Sequence, residues 1–139
     1  MRSHGTVTTV LGAITLNGIK AAMTIEGATT GPVFITYVEQ ILLPTIKPGD
    51  VVVLDNVGAH KVKRAKELIE AAGASMLFLP PYHPDLNPIE NAWSKVKARL
   101  RAAEARTHDA LEVALRQAIN SVTGSDAAGW FKHCGYQPI

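Results

Sequence analysis

Val51-Val52-Val53-Leu54-Asp55-Asn56 is the stretch on which the fold turns. Its four leading residues are all apolar and three are β-branched, with no alternation of apolar and polar positions. That is the pattern of a strand covered on both faces, and such strands belong to parallel sheets inside α/β domains. The run then stops on an acid.

Reading outward from this strand gives a consistent order of elements. Downstream, Asn56-Val57-Gly58-Ala59-His60 is a loop, and residues 61–72 form a helix with Val62, Ala65, Leu68, Ile69 and Ala72 as its inner stripe and Gly73 as its stop. Residues 75–79, Ser75-Met76-Leu77-Phe78-Leu79, are a second short buried strand. Upstream, Gly31-Pro32 opens a helix over 31–43 with Phe34, Tyr37, Val38, Ile41 and Leu42 facing the core, ended by Pro44 and the Lys47-Pro48-Gly49-Asp50 turn. Before it, residues 6–25 form an antiparallel hairpin, turning across Asn17-Gly18 in a type I′ turn.

The second half is helical. Residues 80–88, Pro80-Pro81-Tyr82-His83-Pro84-Asp85-Leu86-Asn87-Pro88, hold four prolines in nine residues, a stiff loop that can place the next helix accurately. Asn87 caps that helix, over 88–104, with Pro88 at its first position and Ile89, Trp93, Val96, Leu100 and Ala103 inward. Thr107 caps another over 107–122, with Leu111, Ala114, Leu115, Ala118, Ile119 and Val122 inward. The aromatic tail Trp130 to Tyr136 docks on the domain, with Trp130 clamping the core that holds Trp93. No repeat, low-complexity segment or linker marks a second domain, so residues 1–139 are expected to form one.

Composition sets the outer limits. With 47% hydrophobic and 19% charged residues the chain has the make-up of an ordinary globular protein, and no stretch reaches the roughly 18 apolar residues of a membrane span. Met1 to Gly5 is followed by no apolar run of the kind a signal peptide needs. One cysteine, Cys134, excludes an internal disulfide and fits a reducing cytoplasm. A net charge of +2 says little, but eleven of the fourteen Lys and Arg lie beyond residue 60. Lys61, Lys63, Arg64, Lys66 and Lys95, Lys97, Arg99, Arg101 form two basic helical runs, read either as solvated faces or as a surface that tracks phosphates.

Two acids stand out: Asp55 at the carboxyl end of a buried strand and Glu90 at the start of a helix, with 34 residues between them. Carboxylates on two rigid elements are a way to hold a divalent metal. Each also has a plain structural role. Asp-Asn is good turn chemistry, and Asn87-Pro88-Ile89-Glu90 matches a capping box. Their conjunction with a proline-stiffened loop favours the metal. Around them, Asn56, His60, His83 and Asn87 support the site, Asp50 reads as a turn residue and Asp85 as ordering the proline loop. His60 and His83 lack the i,i+4 spacing of a zinc pair, and adjacent His133 and Cys134 lack a second cysteine.

Leu54-Asp55-Asn56 with Ala59-His60, the run from Leu79 to Trp93, and His133-Cys134-Gly135-Tyr136 closely resemble the catalytic domain of bacterial insertion-sequence transposases of the Tc/mariner superfamily. The resemblance covers nearly the whole chain. It implies a ribonuclease-H-like mixed sheet flanked by helices, and an Asp, Asp, Glu triad holding two Mg²⁺ or Mn²⁺ ions. It makes Asp55 the second acid and Glu90 the third, in a bacterial, cytoplasmic enzyme, an expected homo-oligomer, that cuts and joins transposon ends and target DNA. The basic runs would then bind DNA through Lys61, Lys63, Arg64, Lys95, Lys97, Arg99 and Arg101.

The family's first Asp lies on a central strand upstream of the hairpin, and it has no counterpart here. Before Asp50 the only acids are Glu26 and Glu39. The chain is therefore expected to be an amino-terminally truncated catalytic domain lacking that strand, completed by an upstream transposase fragment or by full-length transposase. Two other readings remain: a non-catalytic DNA-binding or assembly remnant, and a small nuclease completed by Glu26 or Asp85.

Overall fold

The computed structural model describes residues 8–54, 63–79 and 87–136. Two strands, β1 (Thr8–Thr15) and β2 (Gly18–Glu26), lead into helix α1 (Gly31–Tyr37), then strand β3 (Val51–Leu54), helix α2 (Lys63–Ala71) and strand β4 (Ser75–Phe78). Helices α3 (Pro88–Ala103), α4 (His108–Asn120) and α5 (Gly124–His133) complete the order. The chain divides into two compact units, one made of 1–13 and 21–82, the other of the hairpin tip 14–20 with 83–139.

In the first unit, β3, α2 and β4 form a parallel crossover, with Val51 opposite Ser75 and Leu54 opposite Phe78. The ladder runs on through Leu79, whose N–H donates to the Leu54 carbonyl at 2.8 Å. Side chains alternate across the pair, so Val52, Leu54 and Met76 lie on the face that packs against Phe34, Tyr37, Val38, Leu42, Ala65 and Ile69. The opposite face carries Val51 and Leu77, which are 58% and 52% exposed. This corrects the expectation of a strand covered on both faces. An unbroken apolar run shows that a strand can be buried on both sides, not that something covers both.

Among the described residues the strands make two separate two-stranded sheets, β1 with β2 and β3 with β4. The hairpin also departs from expectation. Its two linking residues are Leu16 and Asn17, and among the described residues the non-glycine ones with positive φ are Ala21 and Glu104, so no type I′ turn forms on Asn17-Gly18. Instead the Thr15 hydroxyl accepts from the Asn17 N–H at 3.0 Å and donates to the Gly18 carbonyl at 3.3 Å, closing the turn from a side chain. Gly18 has φ +112°, and a Cβ there would lie 2.8 Å from the Val122 carbonyl oxygen, so the position needs glycine twice over.

Thr30 caps α1, and Pro32 stands in its first turn. Past Tyr37 the helix widens into a π turn over Val38–Leu42, where the Leu43 N–H reaches back to the Val38 carbonyl, and ends as a 3₁₀ turn at Leu43–Thr45. Pro44 has no N–H and its ring crowds the carbonyl four residues earlier, so regular α-helix cannot continue to residue 43 as the spacing suggests. Tyr37 is 4% exposed, its hydroxyl has no hydrogen-bond partner, and burial pushes its pKa up to about 12. Asp50 acts as the expected turn residue, accepting from the Lys47 N–H at 2.8 Å.

In the second unit α3, α4 and α5 enclose a small core of Ala92, Val96, Ala118 and Val122, to which Trp93, Leu100, Ile119 and Trp130 add partly buried surface. Asn87, Thr107 and Thr123 cap the three helices with side-chain oxygens. Two residues expected inward, Ala103 and Leu111, are exposed. Ala103 closes α3 at an αL cap on Glu104, and Leu111 lies in the first turn of α4, where the helix has not yet met its neighbours. Helix α5 is an addition to the elements read from sequence. A capping box starts it, with Thr123 and Asp126 each bonding the other's backbone N–H. No helix among the described residues is long and apolar enough to cross a membrane.

Candidate active site

Glu90 is the described member of the acidic pair. It is exposed, at the third position of α3, and the start of that helix is tightly determined. Asn87, itself 7% exposed, accepts from the Ile89 N–H through its side chain at 3.2 Å and from the Glu90 N–H through its carbonyl at 3.1 Å. Pro88 fixes φ at the first helical position, where a missing N–H costs nothing. The unbonded N–H groups of a helix start favour negative charge, so a carboxylate in this turn stabilises α3 while remaining open to solvent.

The 3.6-residue repeat sets what shares a face with Glu90. Ser94, Lys97 and Arg101 fall on the same stripe, and all are exposed. Lys97 and Arg101 lie about 10 and 16 Å along the axis from Glu90 at a rise of 1.5 Å per residue. An acid at the head of a helix with two cations down the same side can present one reactive end and a run of phosphate contacts to an extended polyanion. Arg99 is exposed on another side of α3.

The other basic residues take different places. Lys63 and Arg64 are exposed in the first turn of α2. Lys95, expected on the phosphate surface, is half-buried: its ammonium lies 2.6 Å from Asp126 Oδ2 and donates to the Ser121 carbonyl at 2.9 Å. The hydrogen bond from Lys95, then the backbone bond from Thr123, holds the Asp126 carboxyl below its usual range. Sequence reading missed this pair because the partners are 31 positions apart.

Asp55, Asn56, His60, Lys61 and His83 lie outside the described residues. Strand β3, described up to Leu54, is the element that leads to Asp55. Among the described residues no group of three His, Cys, Asp or Glu side chains comes together to hold a metal ion.

A family model described as DDE superfamily endonuclease matches residues 1–112. Among solved structures, the catalytic core domain of BIV integrase is similar at a TM-score of 0.58 and 21% identity, covering 99% of this chain and 94% of that one. A chain from the simian T-cell lymphotropic virus intasome in complex with PP2A regulatory subunit B56 gamma is similar at a TM-score of 0.52 and 13% identity over 78% of this chain. This chain spans 45% of that one's length. No curated protein matches. At these identities the structures speak to fold, and the fold they share is the mixed α/β, ribonuclease-H-like one expected from the sequence. The family match takes in 112 of 139 residues, and the chain belongs to the DDE superfamily endonucleases.

Proposed function

We propose that this chain is the catalytic-domain portion of a transposase of the Tc/mariner type from a bacterial insertion sequence, acting on DNA by metal-dependent strand cleavage and strand transfer. Glu90 serves as the third acid of the triad and Asp55 as the second. The observation that carries the reading is the placement of Glu90: exposed on a rigidly capped helix start, with Lys97 and Arg101 on the same stripe, in a chain of the DDE endonuclease family.

The donor chemistry fits Mg²⁺ or Mn²⁺, hard cations that take carboxylate oxygens, and an exposed carboxylate on a fixed helix is such a donor. Glu90 and Asp55 would hold the metal, two ions in the complete site, which when bound stabilises the entering and leaving oxygens of an in-line displacement at phosphorus. Lys97 and Arg101 hold flanking phosphates by charge; Arg99, on another side of α3, and Lys61, Lys63 and Arg64 of the other basic run are further proposed DNA contacts. Lys95 has its ammonium engaged by Asp126. Asn87 keeps Glu90 in place through the cap, and Asn56, His60 and His83 belong to the loops that flank the two acids in sequence.

The first acid comes from outside residues 1–139. Supporting this, Glu26 and Glu39 are the only acids before Asp50. An upstream transposase fragment, or an intact transposase in a homo-oligomer, supplies the missing strand and its Asp. The chain alone is then expected to bind Mn²⁺ weakly.

Cleavage and strand-transfer assays on DNA carrying transposon ends test this, run with the chain alone and with a separately purified upstream fragment. Activity is expected only in the mixture and only with divalent metal, and Glu90→Gln should lower it by more than about 100-fold, roughly 3 kcal/mol of barrier. Inactivity of the mixture while DNA binding persists identifies a non-catalytic DNA-binding or assembly remnant and overturns the catalytic reading. Activity of the chain alone that vanishes in Glu26→Ala or Asp85→Ala identifies a small self-sufficient nuclease.

A further inference from the structure

Helix α5 lies beyond the family match, yet it grips α3 on both sides of the core contact nearest Glu90. Asn91, the residue after Glu90, accepts a hydrogen bond from the Cys134 thiol at the carboxyl end of α5, Sγ to Oδ1 3.8 Å. One turn further along α3, the Lys95 ammonium meets Asp126 at the amino end of α5 at 2.6 Å and the Ser121 carbonyl just before it at 2.9 Å. Between these two ties Ala127 is fully buried and Trp130 packs on the core formed by Ala92 and Val96. Asp126 is itself held by the Thr123 N–H at 3.1 Å, so the Lys95 anchor is not a loose surface carboxylate.

Two ties, one at each end of α5 and four residues apart on α3, resist rolling of α3 about its own axis. Ala92, Trp93, Val96 and Leu100 hold α3 in the apolar core, and the two polar ties add directional contacts to that non-directional packing. Roll matters for an acid at the helix surface. A carboxylate about 6 Å from the axis moves about 2 Å for a roll of about 20°, and metal ligands need to be placed within about 0.5 Å.

We infer that α5 is the positioning element for Glu90: Lys95 with Asp126, and Asn91 with Cys134, fix the roll of α3 and so the direction in which the Glu90 carboxylate points. Lys95 thereby acts as a positioning residue. The inference rests on the reading of Glu90 as a metal ligand.

The test uses the full chain mixed with the separately purified upstream fragment and Mn²⁺ as the probe, free Mn²⁺ being followed by electron paramagnetic resonance and helix content and Tm by circular dichroism. Lys95→Met and Cys134→Ala are each expected to weaken the Glu90-dependent Mn²⁺ binding by about tenfold with helix content unchanged, as loss of an orienting partner does at metal sites. Lys95→Arg and Cys134→Ser, which keep a donor at each tie, are expected to retain wild-type affinity. Lower Tm with unchanged Mn²⁺ affinity in both disruptive variants makes the ties merely structural and overturns the inference, leaving Glu90 as ligand. Cys134→Ala carries the test where Lys95→Met does not fold. A Mn²⁺ titration unchanged by Glu90→Gln removes Glu90 as ligand and takes both readings down.

Discussion

The helical unit and the sheet unit end in different conditions. Around α3, α4 and α5 the polar ends are answered from within: three side-chain caps, a reciprocal box at Thr123 and Asp126, and a half-buried cation bonded to both a carboxylate and a carbonyl. The β3–β4 pair instead packs one face on α1 and α2 and leaves Val51 and Leu77 on the other. Apolar side chains on an exposed sheet face, beside an edge with no further strand among the described residues, invite another chain to add to them. The helical unit leaves Leu111 and Val113 exposed on α4, whereas the sheet unit sets its exposed Val51 and Leu77 on adjacent paired strands.

The largest expected effect tests the sheet unit through its core. Ile69 of α2 is fully buried in the core that holds residues of α1, β3 and β4, and Ile69→Ala should cost about 2–5 kcal/mol in a denaturant melt, enough to unfold a marginal unit. Next comes the helical unit. Thr123→Ala removes the cap and half of its box and should cost about 1 kcal/mol, lowering Tm without altering the sheet. Smaller again is Glu104→Gly, which relieves an αL residue with φ +49° at the end of α3 and should raise stability by about 0.5–1 kcal/mol. The smallest change in stability separates the two regions most cleanly. Val51→Thr with Leu77→Thr should alter the isolated chain by no more than about 0.5 kcal/mol each while reducing self-association in sedimentation, and a large loss of stability would mean that this face is already covered.

Acid titration distinguishes the regions by charge. The folded Asp126 carboxyl is held below its ordinary value of 3.8, so its contribution is present above that pH and is lost as pH falls through the depressed folded value. Tm against pH should therefore separate wild type from Asp126→Asn above about pH 4 and bring the two curves together in stronger acid. Curves that stay parallel throughout would show the ion pair to be idle.

The elements that announced themselves did so through local chemistry. Asn87-Pro88 marks the start of α3 because cap and first-position preferences act within four residues, and Gly73 marks the end of α2, where its φ of +85° is needed. What stayed illegible depends on distance or on context. The exposure of Val51 is decided by what lies opposite it, which four apolar letters cannot state. The Lys95–Asp126 tie joins positions far apart in sequence. Helix α5 was hidden by Gly124 and Gly129, poor helix formers that mask its propensity, although Thr123 with Asp126 three residues later is a start signal that could have revealed it. For the candidate site, Glu90 was legible from the helix start that presents it. The partner acid, Asp55, was named from sequence and lies outside the described residues.

Tyr37 offers an optical readout of these differences. Its phenol is enclosed among Phe34, Val38 and Leu42 and keeps its proton to about pH 12, whereas an unfolded chain releases it near 10.0. Because the folded form then binds the extra proton, stability falls as pH rises above about 10. Tyrosinate absorbance from this ring should consequently appear late and abruptly, as a marker of the sheet unit coming apart.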